Sequence, residues 1–140
     1  MADTTNQLRV RLVTPDRTLF ENVADSVELP SKSGYLQVLY GHAPLMAELG
    51  AGKVTLRGGP GDEEIYNVSW GFVEVLPDRV TILASDALKP EEIDVVRAEQ
   101  QLDRGLQLWK EAGDSEDDYN EALRMIAEGE AKIATAAEKH

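Results

Sequence analysis

Up to about residue 86 the apolar side chains recur every second position, and beyond it every third or fourth. In the first stretch, residues 8–13, 26–29, 35–39, 54–57, 64–68, 72–76 and 79–84 each alternate apolar with polar. Alternation sends one row of side chains inward and the next into water, so each segment predicts a half-buried strand. Turn formers fill the gaps at 14–16, 30–34, 58–62 and 77–78, and Pro30 is expected to stop the second strand. Residues 58–62 read as the turn of a hairpin between 54–57 and 64–68. Many short strands with no helix between them predict an antiparallel sandwich or barrel.

The second stretch predicts two amphipathic helices. Pro90 stands where the first helical position is expected, and Glu91 and Glu92 suit the positive end of the helix dipole. Val95, Ala98, Leu102, Leu106 and Trp109 form one apolar stripe. Gly113 ends that helix, residues 114–118 connect, and Tyr119, Leu123, Ile126, Ile133 and Ala137 form a second stripe. Two such helices with a short link make an antiparallel hairpin. Gly105 and Gly129 fall inside them, where each costs roughly 1 kcal/mol against Ala; they either let the helices approach closely or loosen them. The expected division is a β-sandwich over 1–87 and a helical hairpin over 88–140. Narrow stripes bury little, so the hairpin needs the sandwich or a partner to settle on.

Composition narrows the function. The 140 residues carry 26 acids against 14 bases, a net charge of −12, with more than half of the acids in the helical stretch. That balance argues against unaided nucleic-acid binding and against electrostatic docking on an anionic membrane. With no cysteine there is no disulfide or thiolate chemistry. The two histidines, His42 and His140, are too few for a His-rich metal centre. The N-terminal residues lack a signal- or transit-peptide pattern, and no apolar run approaches the roughly 20 residues that span a bilayer. Membrane association is therefore expected to go through a partner protein. The glycines at 58–61 lack the Lys and hydroxyl residue of a phosphate-cradling loop, and no G-x-S-x-G accompanies His42. Residues 114–118 lack the glycine and spacing of an EF-hand. No independent catalytic site is expected.

Three blocks occur in order: LVTPDRTLF at 12–20, VLYGHAPL at 38–45, and VSWGFVEV at 68–75 leading into VTILA at 80–84. Followed by an acidic helical hairpin, they resemble the ε subunits of bacterial F-type ATP synthases, over nearly the whole chain. The resemblance implies a sandwich of about ten strands, then two helices, in the central stalk against the γ subunit and the c-ring. It implies subunit contacts at Tyr35, Tyr40, His42 and Trp70. The chain departs from the family's usual residues at four places: Pro is usual at Tyr40, Gly at Trp70, a second Gly at Gln37 and an acid at Tyr35. Read by itself, His42 is a turn residue whose ring bonds the local backbone.

Residues 92–98 resemble the I/L-D-x-x-R-A segment with which some bacterial ε subunits bind ATP; Ile93, Asp94, Arg97 and Ala98 match it, and Arg104 falls where a further basic residue is expected. Arg97 and Arg104 lie two turns apart on one helix face, so both can reach one polyphosphate. Asp94 can accept from an adenine amino group, with Ile93 and Ala98 as an apolar floor. The alternative is plain surface pairing, Asp94 with Arg97 and Arg104 with Gln100, Asp103 or Gln107. ATP binders of the family also carry arginines on the second helix, where this chain has Glu128 and Lys132, with Arg124 one turn earlier.

The function implied is a non-catalytic subunit of the proton-transporting ATP synthase. It would couple c-ring rotation to ATP synthesis through γ, with ATP as an optional regulatory ligand and no metal. The C-terminal helices would brake hydrolysis through transient contact with the catalytic α/β subunits. The location implied is peripheral, on the cytoplasmic face of the bacterial inner membrane. Two alternatives are a ligand- or peptide-binding sandwich with a helical lid, and a small enzyme using a carboxylate pair among Asp62, Glu63, Glu64 and Glu74.

Overall fold

Leu8, Val10 and Leu12 are buried while Arg9 and Arg11 between them face water, so the first alternating segment is a strand with one apolar face, β1 (Leu8–Val13). In the computed structural model, which describes residues 6–138, it is followed by β2 (Thr18–Ala24), β3 (Ser26–Ser31), β4 (Gly34–Leu39), β5 (Leu45–Gly59), β6 (Asp62–Leu76) and β7 (Arg79–Leu88). Two helices complete the chain, α1 (Val95–Glu111) and α2 (Glu116–Ala136). His140 lies outside the described residues.

The strands form one sheet in the order β2-β1-β7-β6-β5-β3-β4, antiparallel except for the β1–β7 pair. The sheet curls until β2 reaches β5, four ladders away. There the Asp25 N–H donates to the Arg57 carbonyl at 2.8 Å. The layers thus enclose one apolar core of Leu, Val, Ile and Phe side chains. Among the described residues seven strands stand where about ten were expected, because β5 and β6 are each fifteen residues long and absorb several short segments. The turn between them falls inside 58–62, as expected. β3 runs on through Pro30 to Ser31, since Pro30 pairs with Tyr35 across the short β3–β4 turn.

β6 is interrupted once. Leu49 pairs with Gly71 and Ala51 with Ser69, and on the other side Gly71 pairs with Ala84 and Ser69 with Asp86, so Trp70 drops out of both ladders. Trp70 has φ +60° and Gly71 φ +126°. A side chain at Gly71 would meet the Leu83 carbonyl oxygen at 2.0 Å, so only glycine fits there. Trp70 is a large residue in the left-handed region, a conformation that costs on the order of 1–3 kcal/mol.

The helical hairpin differs from its expected stripes. Pro90 opens a separate 3-10 turn, Pro90–Glu92, and α1 starts later, where the Asp94 carboxylate accepts the Arg97 backbone N–H at 3.1 Å. Gly113 (φ +55°) follows the end of α1, and Ser115 caps α2 by accepting from the Asp118 N–H at 3.2 Å. The helix–helix seam uses small residues: Ala98 and Gly105 of α1 and Ala122 and Gly129 of α2 are buried. A Cβ at Gly105 would lie 2.9 Å from Ile126 Cγ1, and one at Gly129 would lie 3.1 Å from the Ala98 carbonyl oxygen. Close approach of the backbones turns Leu106, Trp109, Tyr119 and Leu123 outward, each more than two-fifths exposed.

Candidate functional site

The start of α1 is fixed to the sandwich before the helix begins. Arg17 grips the Glu92 carboxylate with both terminal nitrogens, at 2.9 and 2.8 Å, and donates to the Ala87 carbonyl at 3.1 Å. The Lys89 N–H adds a bond to the same carboxylate at 2.8 Å. These donors, the Arg17 hydrogen bonds first, hold the Glu92 carboxyl down to about 2.

Just beyond this anchor lies a pocket of about 330 Å³. It gathers Ile93, Asp94, Arg97, Ala98 and Arg104, the five residues picked out as a candidate ATP segment, and adds Lys132 from α2. The surface pairings open to these residues are not formed. Asp94 spends its bond on the backbone of Arg97, and neither guanidinium makes an ion pair among the described residues. Ile93 and Ala98 are buried, 5% and 2% exposed, so they close the floor. Lys132 reaches the pocket because the antiparallel helices place it opposite the start of α1, a register that alternation and spacing alone do not give.

Glu128, the acid expected to repel phosphate, is not in the pocket lining. Its carboxylate accepts from Trp70 Nε1 of the sandwich and from Gln101 Nε2 of α1 at 2.9 Å, and lies 3.6 Å from Arg124 Nε. The Arg124 guanidinium also sits 5.1 Å from the centre of the Trp70 ring, and Lys32 Nζ sits 6.0 Å from it. Trp70 therefore faces the hairpin instead of joining Tyr40 and His42.

Two more contacts run down α2 in line with this one. Thr135 Oγ1 lies 3.1 Å from Asn67 Oδ1, and Lys53 Nζ bonds Glu138 at 2.9 Å. Thr135 also lies 2.8 Å from the Ala131 carbonyl, and a hydroxyl has one proton to share. Asn67 Nδ2 and Ser69 Oγ are buried beside it with no partner. The face between sandwich and hairpin thus carries polar groups that are not all paired.

The remaining candidate residues lie at the surface. Tyr35 is 56% exposed, and its hydroxyl accepts the Lys53 N–H at 2.9 Å, passing over Gly52, where a Cβ would not fit. Tyr40 is exposed at the β4–β5 loop. His42 Nδ1 bonds the Ala43 carbonyl at 2.7 Å, which is the local turn contact expected of it. Nearby, Leu39, Leu45, Met46, Phe72 and Leu83 are all exposed, and Phe72 pairs directly with Leu83. Isolated exposed apolar residues are ordinary; only larger contiguous patches of them mark interfaces.

The family model for the ATP synthase delta/epsilon chain β-sandwich domain matches residues 7–90. The chain belongs to the ATP synthase delta/epsilon family. It is similar to the ATP synthase epsilon chain of Koribacter versatilis, 46% identical over 81% of this chain and 77% of that one. It is similar to the epsilon chain of Solibacter usitatus, 40% identical over 94% and 97%, and to the chloroplastic epsilon chain of Porphyra purpurea, 37% identical over 93% and 97%. Among solved structures, a chain of the Euglena gracilis mitochondrial ATP synthase has the same fold, with a TM-score of 0.79, 20% identity and coverage of 95% of this chain and 83% of that one. The family model covers the sandwich of this delta/epsilon chain; the hairpin is covered by the relatives matched nearly end to end. Among the described residues, no helix is long and apolar enough to cross a membrane.

Proposed function

We propose that this delta/epsilon chain is the ε-type subunit of an ATP synthase central stalk, peripheral to the membrane on the cytoplasmic face of a bacterial inner membrane. The sandwich fastens γ to the c-ring, and the hairpin serves as a brake on ATP hydrolysis. The subunit performs no catalysis itself. The observation that carries this reading is the end-to-end similarity to epsilon chains across both the sandwich and the hairpin. The architecture suits the task. A rotor coupling must not slip under load, and the sandwich offers a stiff, dry core and an exposed apolar grip at Leu45, Met46, Phe72 and Leu83.

In this reading the pocket takes ATP as a regulatory ligand. Arg97, Arg104 and Lys132 supply three cations toward a polyphosphate, Asp94 keeps an oxygen for the adenine amino group, and Glu92 is already neutralised by Arg17. ATP favours the docked hairpin only as far as it binds that state better than the extended one.

The test is to titrate γ against the chain and assay ATP hydrolysis by the reconstituted catalytic head, with the full chain and with one cut after Ala87. A stable complex with γ in both cases, and faster hydrolysis with the cut chain, is expected. No complex with γ, or hydrolysis indifferent to the hairpin, overturns the coupling or the brake respectively.

A further inference from the structure

Glu128 accepts from two elements far from it in sequence, Trp70 of β6 and Gln101 of α1, and ion-pairs with Arg124 one turn back on α2. Gln101 and Lys132 both line the cationic pocket, and Glu128 does not. Glu128 and Lys132 are four apart on α2, Glu on the N-terminal side, which is the spacing and order that favours a helix-surface ion pair. That pair is not formed here, because the carboxylate is taken by the clip.

We propose that Trp70 is a positioning residue that clips Glu128 to the sandwich and so keeps its charge out of the nucleotide pocket. The clip as a contact stands on geometry alone; its effect on ligand rests on the reading that the pocket binds ATP. With the hairpin docked, Lys132 is left to the ligand. With the hairpin lifted off, Gln101 and Arg124 stay with Glu128, but the carboxylate oxygen that Trp70 held loses that donor and can turn to Lys132, which weakens the hold of that cation on the polyphosphate. The same carboxylate therefore reports docking to the pocket, and it gives a polyanion a reason to prefer the docked state. Trp70 does this from a left-handed backbone position, where its indole is aimed outward from a break in the β6 ladders.

The test uses the full chain and four forms: wild type, W70F, E128Q and W70F/E128Q. Phe keeps a ring and the same backbone demand at position 70 but has no N–H. Binding of ATP and of inorganic tripolyphosphate is measured by calorimetry; loss of ATP alone would point to the base, loss of both to the phosphates. W70F is expected to weaken both ligands several-fold, E128Q to bind at least as tightly as wild type, and the double variant to recover wild-type affinity. A double variant as weak as W70F overturns the proposal, because Trp70 would then act through the fold and not through the charge of Glu128. A second readout needs no ligand: the Trp70 indole N–H should exchange slowly with solvent, as seen by NMR, and quickly in E128A. An indole that exchanges as fast as that of exposed Trp109 overturns the clip. If wild type binds neither ligand while the indole stays protected, the ATP reading fails and the clip is upheld.

Discussion

The sandwich and the hairpin bury opposite kinds of residue. In the sandwich the fully enclosed side chains are large: Leu8, Leu12, Leu29, Leu49, Ile82 and a set of valines, none measurably exposed. In the hairpin the buried residues are Gly105, Gly129, alanines and one polar residue, Thr135, while Trp109, Tyr119 and Leu123 stand in water. The join between the two is polar, with Asn67 Nδ2 and Ser69 Oγ left unpaired. The two parts divide the labour. Large interdigitated side chains make a body that resists deformation, and the hairpin, packed on small residues over a polar bed, would leave that core closed if it lifted away.

The comparison breaks most easily in the core. Leu12→Ala or Ile82→Ala should cost about 2–5 kcal/mol in urea unfolding, because neither site can collapse around the lost atoms. A loss under 1 kcal/mol would mean that the sandwich is not the stiff partner.

The polar join should respond more weakly and more locally. Thr135→Val leaves Asn67 Oδ1 as another buried polar atom without a partner, at about 1–3 kcal/mol. Hydrogen exchange should accelerate across α2 while β1 and β7 hold their protection. Uniform acceleration would show that hairpin and sandwich open as one unit, and the contrast between them would fall.

Much of this contrast was legible in the chain, and the misses have physical causes. The alternation at 8–13, 35–39 and 79–84 locates β1, β4 and β7, because one face of each is dry. β2 and the first half of β5 were missed. In β2 only Phe20 and Ala24 are buried, and at the start of β5 the neighbours Leu45 and Met46 are both apolar and both exposed, so neither shows the expected period. The helical stripes were misjudged for a different reason. Hydrophobicity ranks Leu106 and Trp109 above Gly105, but the closest packing belongs to the residue without a Cβ. The five candidate nucleotide residues fall into one pocket because Ile93 and Asp94 lead straight into α1, which carries Arg97, Ala98 and Arg104. Lys132, Gln101 and the removal of Glu128 depend on the register of α2 against α1 and β6, which no local pattern encodes.

Gly129→Ala sharpens the seam argument. In an isolated helix the change should stabilise by about 1 kcal/mol. Here the new methyl would stand 3.1 Å from the Ala98 carbonyl oxygen and from the Leu102 nitrogen, backbone atoms that move only with the helix. We expect a net loss of hairpin protection of about 1 kcal/mol, and at least as much for Gly105→Ala, whose methyl would stand 2.9 Å from Ile126 Cγ1, 3.0 Å from Met125 Cβ and 3.1 Å from the Ile126 backbone nitrogen. A gain in helicity at position 129 with no loss of protection would show that the helices do not rely on close approach.

The smallest effect lies at the hinge between the two parts, where Arg17 holds Glu92. The folded carboxyl sits at about 2 against an ordinary 4.5, so the unfolded chain binds the extra proton in between. The contribution is therefore complete above pH 4.5 and is lost as pH falls toward 2. The group is partly exposed and screened, so the contribution is at most about 1 kcal/mol. Glu92→Gln should remove that part of the acid dependence and leave stability at neutral pH slightly lower, read from urea midpoints across the range. Because Arg17 belongs to the β1–β2 turn and Glu92 to the residues before α1, protection should fall first at the start of α1. If it falls first within the β1–β2 turn, the bond serves the sandwich rather than the root of the hairpin.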